Sequence, residues 1–373
     1  MISILGGILE IKRNILPKLI KNILVIRNGA LGDFILTLPV FNSLKKAFPH
    51  ARIEVMGNPA NLALAQGYVD GVIPSNIAGL YTLYDLRCTI PQNMRQLLGK
   101  FDLVISYNSD SEGHFIQNLR RIGIPWIING TFSSKEKLPS PVSELLLLPL
   151  KKEGIPIFSE PPRINLSHLD RKFAQRFFHS LPNSGNKPFI IIAIHPGSGS
   201  PKKCWPIENF IQLASWTNQS LGAKIILITG PAENHITKSL HPFIESYKPM
   251  LIDKPALNHL AAILEKSTVY VGNDSGITHL SAAVGTPTLA LFGPTDYRIW
   301  GPKNENVKFL QSSHQCAPCS PQQMARCPKP NCMNSISIDL VKKALLSLIP
   351  RSCKSLSTNN TNAQSFRRER HYV

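Results

Sequence analysis

Apolar residues in this chain come in short unbroken runs, each followed by a turn and then by a stretch with helical spacing. The first run, "NILVIR" from Asn22, leads through the turn "NGALGDF" into "ILTLPVFNSLKKAFP", a helix expected to stop before Pro49. "RIEVMG" and "FDLVISYN" repeat the apolar run downstream. Runs of about four to eight apolar residues without alternation suit strands buried on both faces, and helices between them suit a parallel sheet. Between Gly154 and Pro188 the pattern breaks: "GIPIFSEPPRINLSHLD" is proline-rich and "LPNSGNKP" is a turn cluster, so the connection between domains is expected there. The pattern then restarts. "FIIIAIHPGSGS", "KIILITG", "TVYVGND" and "TLALFGP" read as strands; "ENFIQLASWTNQSLG", "LNHLAAILEKS" and "ISIDLVKKALLSLIP" read as helices, the last capped near Ser337 or Asp339.

The expected fold class is therefore α/β, with two tandem Rossmann-like doubly wound domains facing across a cleft. The N-terminal domain is expected over residues 22–165 and the C-terminal domain over 166–350. A basic amphipathic extension (1–21) precedes them, and a polar, basic tail (351–373), expected to be disordered, follows.

Composition narrows the partners. Among 373 residues, 41 Lys and Arg against 23 Asp and Glu give a net charge of +18, which favours an anionic partner. No helix-turn-helix or RNP motif accompanies that charge, so nucleic acid is not expected. No apolar run approaches the roughly 18 residues of a membrane span. In the extension, Ile4, Leu5, Ile8, Leu9 and Ile11 share one helical face, while Glu10, Lys12 and Arg13 interrupt any signal-peptide core and Pro17 ends the helix. Two readings stand: a helix lying on an anionic membrane surface, or one packed on the first domain. Four of the seven cysteines cluster as Cys316, Cys319, Cys327 and Cys332, which reads either as a structural zinc site or as free thiols in a proline-rich loop.

The residues with chemistry sit in the turns. In the second domain, "HPGSGSPKKCWP" places Lys202 and Lys203 after a glycine turn, where a cation could neutralise a diphosphate. "GNDSGITHL" puts a second turn on the same sheet edge, with Ser275 or Asp274 capping the helix that carries His279. Two helix N-termini at one edge point to phosphate. "TGPAEN" brings Glu233 to that edge, suited to ribose hydroxyls, and "FGPTD" offers Thr295 and Asp296. In the first domain, "RNGALGDF" holds Gly29, Gly32 and Asp33; Asp33 reads either as a helix cap or as a general base. The absence of GxGxxG and of a Walker lysine argues against dinucleotide enzymes and P-loop NTPases.

Taken in order, "ILVIRNGALGDFILTLPVFNSLKKAFPHARIEVMGNP", "HPGSGSPKKCWPIENF", "LITGPAEN" and "VGNDSGITHLSAAVGTPTLALFGPTD" resemble the signatures of glycosyltransferase family 9, the heptosyltransferases of lipopolysaccharide, over most of residues 22–345. The resemblance implies the GT-B fold and a metal-independent, inverting transfer from ADP-heptose, with no cofactor beyond the nucleotide-sugar cosubstrate. It implies Asp33 as general base, with Gly32 beside it on the acceptor side, and Lys203 on the donor diphosphate. Asp274, Ser275, Gly276 and His279 become donor contacts, Glu233 a nucleoside-binding acid, and Ser198 a further donor-binding position. The implied acceptor is a lipid-linked anionic glycan of the lipopolysaccharide inner core, at the cytoplasmic face of the inner membrane. Family members often carry His-x-x-Glu before the linker, whereas here Pro141 stands at the His position and only Glu144 is kept. The alternatives are another nucleotide sugar (hexose or N-acetylhexosamine) and a non-catalytic sugar-nucleotide binder.

Overall fold

The structure is a computed structural model that describes residues 20–131, 140–180, 190–230, 240–241, 244–245 and 247–350. The helix read between Ile4 and Pro17, the tail over 351–373 and Glu233 lie outside those residues. The chain divides into two compact units between Asn165 and Leu166.

The first unit contains β1 (Asn22–Arg27), α1 (Leu31–Ala47), β2 (Arg52–Gly57), β3 (Gly71–Pro74), α2 (Gln92–Leu98), β4 (Leu103–Ser106), α3 (His114–Ile122) and β5 (Trp126–Asn129). Its five strands are all parallel, in the order β3-β2-β1-β4-β5. Successive residues of β1 and β4 are buried on both faces, which is why those runs carry no polar alternation. Leu24, Ile26, Met56, Phe101, Val104 and Phe115 pack on one side of the sheet. Helix α1 begins at Leu31, two residues before Asp33, so the expected turn residues form its first turn.

The second unit contains α4 (His168–His179), β6 (Ile191–His195), α5 (Ile207–Leu221), β7 (Lys224–Thr229), β8 (Met250–Asp253), α6 (Leu257–Glu265), β9 (Val269–Asn273), α7 (Gly276–Ala283), β10 (Thr288–Phe292), β11 (Val307–Gln311) and α8 (Ile338–Leu348). Its six parallel strands run in the order β11-β10-β9-β6-β7-β8. Ile192, Ile194, Trp205, Phe210, Leu227, Val271, Leu291 and Met333 build the core. Gly222, at φ +61°, ends α5 in the left-handed conformation that glycine adopts without strain. Ser337, not Asp339, caps α8.

Two differences from the sequence reading have physical causes. The proline-rich stretch contains a helix: α4 is capped by Ser167 and Asp170 in a reciprocal pair, and it packs on α6 through Arg171–Glu265 (2.9 Å) and Asn258–Asp170 (2.6 Å). The Ser-x-x-Asp start is a helix signal that the prolines upstream mask. Strands β3, β5, β8 and β11 are the outermost strands of their sheets, and each is partly exposed, so they lack the continuous apolar run of the inner strands.

Candidate active site

In each unit the strand order reverses beside the first strand, between β1 and β4 and between β6 and β9. Open parallel sheets bind ligands beyond the carboxyl ends of the strands at such a reversal. The candidate chemistry sits at these two edges.

At the β6–β9 edge, Asn273 fixes the two turns to one another. Its Nδ2 donates to the carbonyls of Pro196 (2.7 Å) and Gly197 (3.3 Å), and its Oδ1 accepts from the Trp205 amide (2.9 Å). Ser198 donates to the Asp274 carbonyl at 2.6 Å. Lys203 and Asp274, 71 residues apart, pair at 2.8 Å, and the Thr295 hydroxyl donates to the same Asp274 oxygen at 2.7 Å. The pair is largely shielded: the Lys203 side chain is 24% exposed and that of Asp274 only 8%. Ser275 takes the cap of α7, accepting from the Thr278 amide (3.4 Å) and contacting His195 Nδ1 (3.3 Å). The first turn of α7 leaves the amides of Gly276 and Ile277 without intrahelical partners. His279, in the same turn, is buried.

This edge thus gathers Ser198, Lys203, Asp274, Ser275, Gly276, His279 and Thr295. It separates Lys202, whose ammonium donates to the carbonyls of Met324 (2.8 Å) and Ala325 (2.7 Å). Asp296 caps a short helical turn and is held by Arg298 at 2.7 Å, so its carboxylate is engaged there. The glycine turn after β6 does not run straight into a helix. A 3-10 turn over Pro201–Lys203 intervenes and α5 starts at Ile207, so only α7 begins directly after its turn.

At the β1–β4 edge, Asp33 is the third residue of α1 and Gly32 the second. One carboxylate oxygen of Asp33 accepts from the Ala30 amide at 3.3 Å; the other meets the Arg27 guanidinium at 3.2 Å. Arg27 closes β1, is 9% exposed, and donates from Nη1 to the Tyr107 carbonyl at 3.2 Å. Burial pulls the Arg27 pKa below its ordinary value, and the neighbouring Asp33 carboxylate offsets part of that effect. Burial holds the Tyr107 phenol far above its ordinary value. Its hydroxyl donates to the Leu146 carbonyl at 2.6 Å. Beside it, the Asn28 amide donates to Asn108 (3.0 Å), which donates to the Tyr84 hydroxyl (2.8 Å). Asp33 itself is 37% exposed. It is therefore both a helix-start acid and an accessible carboxylate. The sequence reading passed over Arg27, Asn273, Asn108 and Tyr84; only a polar residue at or just past a strand end marked the first three.

Cys316 lies 3.1 Å from His314 Nδ1, Cys319 and Cys327 donate to the carbonyls of Cys316 and Lys329, both at 3.0 Å, and Cys332 is buried in the core. Burial first, then the neighbouring Cys316 and Cys332, push the Cys319 thiol up to about 11. Among the described residues no group of three or more His, Cys, Asp or Glu side chains is arranged to hold a metal ion, so the zinc reading finds no ligand set there. Nor, among them, is any helix long and apolar enough to cross a membrane.

The sequence profile of glycosyltransferase family 9 (heptosyltransferase) matches residues 126–328. Lipooligosaccharide heptosyltransferase 2 of Campylobacter jejuni is 24% identical over 331 residues, covering 86% of this chain and 96% of that protein. A family 9 glycosyltransferase structure from Veillonella parvula superposes with a TM-score of 0.72 at 22% identity, covering 88% of this chain and 97% of that one. An Escherichia coli heptosyltransferase solved with ADP gives 0.61 at 17% identity, covering 88% and 99%. At these identities the structural likeness establishes a shared two-domain GT-B fold.

Proposed function

The chain belongs to glycosyltransferase family 9, and from that premise we propose that it transfers heptose, with inversion, from ADP-heptose to the lipopolysaccharide inner core or a related lipid-linked surface glycan. The observation that carries the reading is the Lys203–Asp274–Thr295 arrangement beside the N-terminus of α7, a shielded cation next to free helix amides at the switch point of the second sheet. Both features favour a diphosphate. The relatives named heptosyltransferases, and the neighbour solved with ADP, support the choice of base and sugar.

In this proposal the first unit supplies the base and the second holds the donor. Asp33 takes the proton from the acceptor hydroxyl as its oxygen attacks the anomeric carbon. The bond to the diphosphate breaks on the opposite face, through an oxocarbenium-like state. Negative charge then grows on departing ADP, where Lys203 and the amides of Gly276 and Ile277 stabilise it without a metal or cofactor. Ser198, Ser275 and His279 line the donor side, Glu233 takes the nucleoside, and Gly32 keeps the backbone low beside the acceptor. Lys203 is already paired with Asp274, so donor binding exchanges one anion for another and Asp274 is freed to meet sugar hydroxyls. The basic charge of the chain suits a phosphorylated acceptor at the cytoplasmic face of the inner membrane. Titration calorimetry with ADP, UDP and GDP tests the donor: ADP binding at least about tenfold tighter, which is about 1.4 kcal/mol, is expected. Equal or tighter binding of UDP or GDP sinks the reading.

A further inference from the structure

We propose that Arg27 is a positioning residue for Asp33: a buried guanidinium whose fork fixes the direction of the carboxylate that takes the acceptor proton. The inference rests on the role of Asp33 in the proposed function and extends it to a residue that only the folded chain brings to the site.

Three independent features carry it. First, Arg27 bridges two elements. Nη1 is held by the Tyr107 carbonyl after β4, and Nη2 meets Asp33 in the first turn of α1, both at 3.2 Å. The anchor is itself fixed, because the Tyr107 ring is buried, its hydroxyl bonds Leu146, and a Cβ at Gly130 would come within 2.5 Å of that ring. Second, Nε of Arg27 is buried and, among the described residues, has no hydrogen-bond partner. An interior guanidinium left short of one partner is an unfavourable way to stabilise a helix start where the Asp33 carboxylate already accepts from the Ala30 amide. It is a favourable way to hold a planar acid in one orientation, since the fork offers fixed directions that an ammonium lacks. Third, the space beside the pair admits no side chain. A Cβ on Gly29 would stand 2.7 Å from the Asp33 Cβ, 3.1 Å from its Oδ2 and 3.2 Å from Arg27 Nε.

The consequence is a carboxylate gripped once on each oxygen, by Arg27 on Oδ1 and by the Ala30 amide on Oδ2. Each oxygen keeps a second lone pair for the acceptor proton, and the exposed part of the side chain is where that proton arrives. Misdirection by about an ångström is enough to cost roughly a hundredfold in rate.

The test compares Arg27→Met, Arg27→Lys, Gly29→Ala and Asp33→Asn, alone and with Arg27→Met combined with Asp33→Asn. Single-turnover transfer is measured from ADP-heptose to lipopolysaccharide from a heptose-deficient strain, alongside the ADP Kd and the unfolding temperature. Arg27→Met is expected to slow transfer about 10–100-fold with the ADP Kd within twofold, and Arg27→Lys to restore part of the rate. In the Asp33→Asn background, Arg27→Met should cost nothing further, because the two act as one unit. Where Arg27→Met fails to fold, Arg27→Lys carries the same comparison. Full rate in folded Arg27 variants while Asp33→Asn is inactive overturns this inference alone, as do losses that multiply in the double variant. Full rate in Asp33→Asn overturns the base assignment beneath it.

Discussion

Replacing Lys203 by methionine removes the charge and keeps most of the side-chain volume, and its effect follows from the pair that Lys203 already makes. In the structure the ammonium is 2.8 Å from Asp274, so ADP gains only the difference between the diphosphate contact and that one. A hydrogen bond to a charged group contributes about 1.5–3 kcal/mol. The exchange retains the lower part of this range, about 1.5 kcal/mol, which is roughly tenfold in Kd. Among the described residues, the same substitution leaves that oxygen of the Asp274 carboxylate, 8% exposed, with the Thr295 hydroxyl alone. Leaving a buried acceptor short of its partner costs about 1–3 kcal/mol, at about 2–4 °C of unfolding temperature per kcal/mol for a unit of this size. Calorimetry with ADP and a thermal melt separate the two effects. Lys203→Met should bind ADP about tenfold more weakly and melt several degrees lower. Adding Asp274→Asn should recover the melting temperature without recovering ADP affinity. An ADP Kd within twofold of the parent, or affinity regained in the double variant, would refute the reasoning, because Lys203 would then serve only to neutralise Asp274.

Other outcomes follow from the same geometry. Asp33→Asn should lower transfer by at least about a hundredfold while ADP binds as before; near-parental turnover rules out the base. Ser275→Ala removes the cap of α7 and should lower stability by about 0.5–2 kcal/mol, read by denaturant unfolding, with a weaker ADP complex; an unchanged protein on both counts removes the cap from the account. Transfer should proceed at full rate in excess EDTA, and loss of activity restored by a divalent cation would contradict the metal-free leaving-group step. Cys319, with its thiol near 11, stays protonated at pH 8. Its alkylation there should run roughly tenfold slower than for a thiol near 9, the smaller thiolate fraction being partly offset by the greater nucleophilicity of the more basic thiolate, and rise with pH beyond 10; peptide mapping after iodoacetamide treatment reads this directly.

How much of this was legible beforehand depends on where the information sits. The inner strands were plain, because burial on both faces forces continuous apolar runs such as "NILVIR" and "KIILITG". The outer strands were not, because half-exposed segments of four or five residues, "GVIP" or "MLID", look like loop. Helix α4 was hidden by the prolines before it. At the site, the positions that turn the chain were readable: Asp33, Asp274, Ser275 and Gly276 stand in local turns whose chemistry is a matter of neighbours in sequence. Their partners were not. Lys202 and Lys203 are alike in local chemistry; the family resemblance singled out Lys203, but only the fold shows that one reaches Met324 and the other Asp274. Arg27 reaches Tyr107 across 80 residues. Likewise, "VGNDSGITHL" offered two caps for one helix; the structure gives the cap to Ser275 because Asp274 is drawn away by Lys203 and Thr295.

The central claim is heptosyl transfer from an ADP-linked donor, and the product tests it most directly. The full chain is incubated with ADP-heptose and lipopolysaccharide from a heptose-deficient strain, and the glycolipid is weighed by mass spectrometry. The account predicts an acceptor heavier by one heptose, ADP released in equal amount, and no product from UDP- or GDP-linked sugars. An unchanged acceptor with ADP-heptose, or a gain of sugar from a UDP- or GDP-linked hexose in its place, would contradict it.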